Sequence, residues 1–254
     1  MSFYAARKAM MINPIPAIAR SDHPNLVAMW TMDNISGATL LDETVNNNDG
    51  AITGATAVSG KVGNALDFNG STDFVSFGDI LDSVITGVGK KFTLTFWINI
   101  DSFASIHIPI GKIGNTTEQG EDQRSWAVIV RTNKDLDFIY YSAVDGTAAS
   151  LARAVTGIDA IDTWYMITLT FDQTQSTTSQ AKISVNSVPQ STSYVLSAAD
   201  RIVDSAARMS LGGQIGTAGP LTNPLNGQVD VIRIFDRLLI QTEDEDLYNG
   251  GVGI

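Results

Sequence analysis

The sequence predicts an all-β fold, two antiparallel sheets packed face to face as a jelly-roll sandwich, preceded by an extended N-terminal arm. Three observations carry this expectation. Strand-length segments alternate apolar and polar residues, most cleanly in "KKFTLTFWINID", where Phe92, Leu94, Phe96, Ile98 and Ile100 share one face and Thr93, Thr95, Trp97 and Asn99 the other. Gly and Asn turn signals punctuate the chain at short intervals. Helical period is weak and confined to residues 239–248. Many short strands with almost no helix make a sandwich or jelly roll.

Residues 1–24 show no sustained period, and Pro14, Pro16 and Pro24 disfavour a continuing helix. They read as an extended arm, with 25–254 as a single domain. The two readings are a disordered terminus and an arm that docks, the second because Phe3, Tyr4, Met10, Met11 and Ile12 are costly to leave in water. The first strand is "NLVAMWTMD". "NALDFNGSTDFVSFGD" holds two strands about a turn at Asn69-Gly70-Ser71. "SWAVIVRTNKDLDFIYYS" reads as a hairpin turning at Thr132 to Asp135. A second hairpin, "TWYMITLTFDQTQSTTSQAKISVNSVPQ", puts Tyr165, Ile167, Leu169 and Phe171 on one face with a polar tip at 172–180. "ARMSLGGQI" and "NGQVDVIRIFD" close the series, and "LIQTEDEDLY" is expected to add one or two helical turns.

With 254 residues the chain can bury a sizeable core without staples. The absence of Cys excludes disulfides and thiol chemistry. A net charge of −11 argues against nucleic acid or anionic membrane as general partners of the body. The charge is uneven: Arg7, Lys8 and Arg20 give residues 1–21 a charge of +3 with no acid, which leaves −14 for the rest. The opening apolar stretch is broken by Asn13, Pro14 and Pro16, unlike a secretory signal, and no run approaches a membrane-spanning length.

Taken in order, "LVAMWTMDN", "NNNDGAITG", "GKVGNALDFNGSTDFVSF", "FTLTFWI", "WYMITLTFD", "AKISVNSVP", "MSLGG" and "LNGQVDVIRIFDRLL…EDLY" resemble the laminin-G-like branch of the concanavalin A-like lectin/glucanase jelly rolls, over roughly residues 25–249. The resemblance implies two curved antiparallel sheets. It implies relatives that mostly bind glycans or proteins, some that cleave polysaccharides, and many that hold a structural Ca²⁺ near the loop after the first strand.

That loop, "LLDETVNNNDGAI" at 40–52, is rich in side-chain oxygens. Ca²⁺ takes six to eight such ligands, so Asp42, Asn46 and Asn48 are candidate ligands, with Asp33 at the end of the first strand. In "QVDVIRIFD" the period of two puts Asp230 on the inward face with Ile232 and Ile234, where a carboxylate needs a cation or donors. Members of the family often show two adjacent acids here; Val231 in the second position leaves one ligand fewer. The other reading is that the Asn residues shape a turn and the acids accept backbone N–H groups.

The alternating carboxylates of polysaccharide-cleaving relatives are missing: no Glu-x-Asp-x-x-Glu occurs. Glu118, Glu121 and Asp122 lie in a Gly-containing loop, and Asp135 and Asp137 share a face beside a turn. His23 and His107 neighbour no nucleophile motif. The expectation is a protein without catalytic residues. Sugar sites need an open ring with polar neighbours. Trp126, after the loop "NTTEQGEDQRS", and Tyr141 are the candidates, whereas Trp97 is expected to pack over a sheet.

A basic arm on an acidic body, with no secretory signal, fits a structural protein of a virion, most simply a bacteriophage decoration, tail or collar component made in the host cytoplasm. Tyr4, Arg7, Lys8 and Arg20 would anchor it to other virion proteins, and its loops would bind host glycan. The alternative is a free or surface-attached lectin-like module of a bacterium, on the cell surface or extracellular. A homo-oligomer is compatible with either.

Overall fold

In the computed structural model the described residues are 18, 21–114, 123–155, 157–215 and 221–254. The Lys91–Ile100 strand anchors the architecture. Its Phe92, Leu94, Phe96, Ile98 and Ile100 point into the space between two sheets, each with at most 1% of its surface exposed. It pairs without interruption with Trp164–Asp172, from Trp164 opposite Asn99 to Asp172 opposite Lys91, and on its other edge with Asn226–Phe235. The eight-stranded sheet runs Val188–Pro189, Ala181–Val185, Trp164–Asp172, Lys91–Ile100, Asn226–Phe235, Asn64–Asn69, Thr56–Ser59, and Leu26–Trp30 also pairs with Asn226–Phe235. The ten-stranded sheet runs Thr192–Ser197, Ala149–Ala154, Leu136–Tyr141, Arg124–Val130, His107–Ile113, Met209–Leu211, Phe74–Gly78, Gly50–Thr53, Thr39–Leu40, Ile35–Ser36. All pairings are antiparallel, as the all-β sandwich expectation requires.

Both expected hairpins form. The turn at Asn69-Gly70-Ser71 is different. It does not close a hairpin, because Asn64–Asn69 belongs to one sheet and Phe74–Gly78 to the other. The chain crosses between layers there, and Asp73 accepts the Asn69 backbone N–H (3.2 Å) and side-chain amide (2.8 Å) to hold the crossing.

Aromatic rings weld the layers. Phe92 and Phe171 from one sheet meet Phe138 and Tyr140 from the other, with ring centroids 5.0 to 6.4 Å apart. Tilted and edge contacts of this kind add to the burial of the rings themselves. Trp126 joins them at 6.3 Å from Phe138.

The outer face of the eight-stranded sheet is also covered. Helix Gln241–Tyr248 lays Leu247 and Tyr248 over Trp97, Met166, Val231 and Phe235. Trp97 stacks on Tyr248 at 5.8 Å with Lys61 on its ring, so its expected packing role holds. Ile18 is seated in the same cluster and is 5% exposed. This position within the expected arm of residues 1–24 therefore rests on its own domain.

Strict alternation fails in Asn226–Phe235. The register shifts between Asp230 and Arg233, and Val231 has φ of +35°. One extra residue in a bulge flips the faces on either side of it. Val229, Ile232 and Ile234 enter the core, whereas Asp230, opposite Trp97, and Arg233, opposite Thr95, face outward. The inward orientation expected for Asp230 is thereby corrected.

Truncating Phe138, which contacts rings from both layers, should cost the most among single core changes. Phe138→Ala is expected to lower the unfolding free energy by about 3–5 kcal/mol, read from the urea midpoint at constant m-value.

Candidate functional site

The oxygen-rich loop closes on itself. The Asp42 carboxylate is 8% exposed and accepts five hydrogen bonds. Oδ1 takes the backbone N–H groups of Met29 (3.0 Å) and Thr44 (2.9 Å). Oδ2 takes the Thr44 hydroxyl (2.9 Å), the Asn48 backbone N–H (3.0 Å) and the Asn48 side-chain amide (3.1 Å). The amides of Asn46 and Asn48 donate to the Val27 carbonyl. The Asp42 N–H donates to Asp49, and the Trp30 indole to the Asn48 carbonyl. These contacts tie the loop to the first strand and use the lone pairs that a cation would need.

Asp33 and Asp230 serve a different turn, residues 60–64. Asp230 Oδ2 accepts the backbone N–H groups of Lys61 and Val62, each at 2.8 Å, and Oδ1 that of Val231 at 2.7 Å. Asp33 accepts the Asn64 backbone and side-chain N–H groups at 2.8 Å. A Cβ on Gly60 would lie 2.6 Å from Asp230 Oδ2, and one on Gly63, whose φ is +71°, 2.3 Å from Asp33 Oδ2. The glycines of "SGKVGN" let the turn approach both carboxylates, a signal the sequence reading passed over. Burial pushes the Asp230 carboxyl up to about 7, against the pull of its three amides and with a small push from Asp33. Buried Arg233 is drawn down to about 10 by desolvation, with Asp230 opposing. The five residues expected to share one cation thus divide between two turns, and among the described residues no group of three or more His, Cys, Asp or Glu side chains converges.

The residues expected to meet sugar also separate. Trp126 is 1% exposed and lies in the core with Val128 and Val130, so no face of its ring is open for stacking. Alternation in "SWAVIVR" sets Trp126 with the valines and Ser125, Ala127, Ile129 and Arg131 opposite. Tyr141 does face outward, but is 6% exposed, packed with Ile108, Ile113 and Ala127 under Val203 and beside Arg124 (5.8 Å). Tyr4, Arg7, Lys8 and Arg20, and the acids Glu118, Glu121 and Asp122, lie outside the described residues.

The outer face of the ten-stranded sheet carries a denser polar arrangement. Ile129, Asp137 and Arg153 form one cross-strand row; Ala127, Ile139, Leu151 and Leu196 form the next. Asp137 is fully buried. Its Oδ1 accepts Arg153 Nε (2.7 Å), and its Oδ2 accepts Arg153 Nη2 (2.9 Å) and Arg131 Nε. Asp135 accepts the Asn133 amide at 2.8 Å and lies 3.5 Å from Arg153 Nε. The hydrogen bond that Arg153 donates to Asp137 holds its guanidinium above the ordinary value. Arg131 and Arg153 remain partly exposed, at 29% and 22% of their side chains. Among the described residues, Nη1 and Nη2 of Arg131 and Nη1 of Arg153 make no hydrogen bond. The strip therefore offers fixed N–H donors beside an apolar floor of Ile129, Ile139 and Leu151, and Leu196, 46% exposed, extends that floor.

Residues 69–243 match the concanavalin A-like lectin/glucanases superfamily, in its laminin-G-like branch, and the chain belongs to this family. A comparison with curated protein sequences gives no match. Among solved structures, the fold resembles a Trypanosoma rangeli sialidase in complex with sialic acid, at 18% identity and a TM-score of 0.64, over 90% of this chain and 34% of that one. It also resembles domain 4 of AbnA, a GH43 extracellular arabinanase from Geobacillus stearothermophilus, in complex with arabinotriose (17% identity, TM-score 0.61, 87% of this chain and 97% of that one). A third likeness is the binding domain of Paraclostridial Mosquitocidal Protein 1 (17%, TM-score 0.62, 89% and 52%). The chain spans about a third of the length of the sialidases it matches. At these identities the likeness is one of fold.

Two outcomes follow from the carboxylate geometry. Asp42→Ala leaves several buried donors unmet and should cost at least about 3 kcal/mol. The loss in melting temperature should be the same with Ca²⁺ as with chelator. A melt that rises with Ca²⁺ in the wild type alone would restore the cation reading. Asp230, held protonated to higher pH in the folded chain than in the unfolded one, contributes stability that is complete below about pH 4 and lost as pH rises through about 7. In denaturant titrations, the stability of wild type relative to Asp230→Asn should decline across that window.

Proposed function

We propose that this member of the concanavalin A-like superfamily is a non-catalytic carbohydrate-binding domain, and that the Arg131–Asp137–Arg153 strip is its binding face. The observation that carries the reading is the fate of Asp137. Most polysaccharide-cleaving enzymes use two carboxylates in different protonation states, one to donate a proton and one to attack or activate water. Asp137 instead spends its oxygens on two guanidiniums, and Asp135 on Asn133 and Arg153. These acids act as clamps. What they clamp are Arg donors suited to vicinal hydroxyls, next to aliphatic side chains suited to the C–H faces of a sugar ring. The likeness to an arabinanase domain in complex with arabinotriose supports a sugar as ligand.

A second reading concerns location. The +3 of residues 1–21 against −14 for the rest supports a bacteriophage virion component, a decoration, tail or collar protein anchored through Tyr4, Arg7, Lys8 and Arg20. Ile18 packs on its own domain, so of these four residues Tyr4, Arg7 and Lys8, which precede it, would form the main anchor.

On a glycan array the full chain should bind at least one oligosaccharide, and Arg131→Gln, although it lowers the melting temperature by removing a partner of buried Asp137, should leave the chain folded at the assay temperature and weaken that binding about tenfold. No reducing sugar should be released from the polysaccharide that contains the ligand. Turnover that vanishes in Asp137→Asn, or binding untouched by Arg131→Gln, would overturn the assignment. For the virion reading, deleting residues 1–17 should leave the domain folded and abolish co-sedimentation with particles; normal incorporation would refute it.

A further inference from the structure

A groove runs along the outer face of the eight-stranded sheet, on the opposite side of the molecule's two layers from the arginine strip. Its floor is two cross-strand pairs, Thr170 opposite Lys182 and Thr168 opposite Ser184. Core-facing Ile167, Leu169 and Ile183 alternate with them, so these polar side chains are fixed on the outward face by the same period that builds the core. One wall is Leu239, Ile240 and Gln241, where the chain enters helix Gln241–Tyr248; the other is Pro189 and Gln190. The groove has two adjoining lobes, of ≈ 290 and ≈ 360 Å³, which share Thr170, Lys182 and Leu239. The second lobe continues to Gln175, Ser179 and Gln180. Each is near the lower end of small-molecule sites, about 300–1,000 Å³.

The chemistry of the lining is mixed in a particular way. Among the described residues, the hydroxyls of Thr170 and Ser184 and the Lys182 ammonium make no hydrogen bond. Gln190 and Gln241 each hold their amide N–H on a backbone carbonyl, of Val188 (2.9 Å) and Ser187 (2.7 Å). Anchored this way, neither Gln has its carbonyl oxygen engaged in the wall. Thr168 donates to Asp244 at 2.5 Å and so fixes the end of the first lobe. Donors and acceptors therefore alternate over a flat floor, beside an exposed aliphatic wall in which Ile240 is 63% exposed. Among the described residues that line the two lobes, Lys182 is the one cation, and Asp244 and Asp172 line the same lobes, on a protein of net charge −11, which disfavours an anion. Hydroxyl-rich ligands need both donors and acceptors and an apolar surface for their C–H faces, and they carry no charge to be repelled.

We propose that this groove is a second ligand site, which takes a short neutral oligosaccharide with successive sugar units in the two lobes. The ligand class rests on the carbohydrate-binding reading; the location does not depend on the arginine strip.

The test maps amide chemical shifts of the full chain by NMR as cellotriose, maltotriose, xylotriose and, for contrast, trigalacturonate are added. At least one neutral trisaccharide should shift the amides of Thr170, Lys182 and Ser184. Lys182→Ala and Thr170→Val, both on the surface, should each weaken that interaction about tenfold and leave any shifts at Ile139 and Arg153 unchanged. If the strip amides shift and the groove amides stay still, the groove proposal is wrong and the carbohydrate reading stands. A groove that responds only to trigalacturonate overturns the neutral-ligand assignment. Silence at both faces, with no binding on the array, removes both.

Discussion

Stacking two sheets leaves the backbone N–H groups of the joining loops without ladder partners, and in this protein aspartates supply them. Asp42 gathers three backbone amides from the first strand and the loop beyond it, Asp230 three from the turn at 60–64 and its own strand, and Asp73 one at the crossing between layers. A buried donor left unmet costs about 1–3 kcal/mol, so these contacts decide whether the loops can close. They also account for where several acids of this acidic protein are placed. Much of its negative charge faces its own N–H groups and guanidiniums.

The two sheets differ in what covers them, and this sets where a ligand can sit. On the eight-stranded sheet the middle is sealed by helix Gln241–Tyr248 and Ile18, over Trp97 and Met166. The seal is imperfect in polar terms: among the described residues, Thr95 Oγ1, Trp97 Nε1, Asn99 Oδ1 and Arg233 Nε are buried without hydrogen-bond partners. Beyond the helix, toward Ala181–Val185, the face opens into a groove. On the ten-stranded sheet, Tyr141 and its neighbours are covered at one end, and the Arg131–Arg153 end is open.

The fold was legible because alternation needs only a buried side and an exposed side. Lys91–Ile100 and Trp164–Asp172 keep strict parity and read correctly, as do both hairpins. The failures share a cause: each needed information from another part of the chain. The bulge at Val231 is invisible to a period of two and turned Asp230 to the wrong face. Asn69-Gly70-Ser71 is as good a turn for changing layers as for closing a hairpin. Trp126 could have been placed, since its own strand pairs it with Val128 and Val130; reading it as the rim of a loop set that alternation aside. Asp137 shares a face with Asp135 beside a turn, and nothing local says that Arg131 and Arg153 will close on it from two directions.

The Asp137 clamp also bears on how a surface without an open aromatic ring can hold a sugar. A free Arg side chain carries about 2 kcal/mol of rotamer entropy, which a ligand must normally overcome when it fixes the guanidinium. Here two hydrogen bonds from Arg153 and one from Arg131 already fix both groups on a carboxylate set rigidly in the sheet. The ordering cost is met on folding, so a hydroxyl that reaches the outward Nη groups gains contact energy with less to offset it. The same carboxylate neutralises much of the positive charge, which turns an anion site into one fit for a neutral ligand. Removing Asp137 would free the arginines to move and raise the local charge at once. On the carbohydrate-binding proposal, one buried acid thus sets both the rigidity and the selectivity of the face.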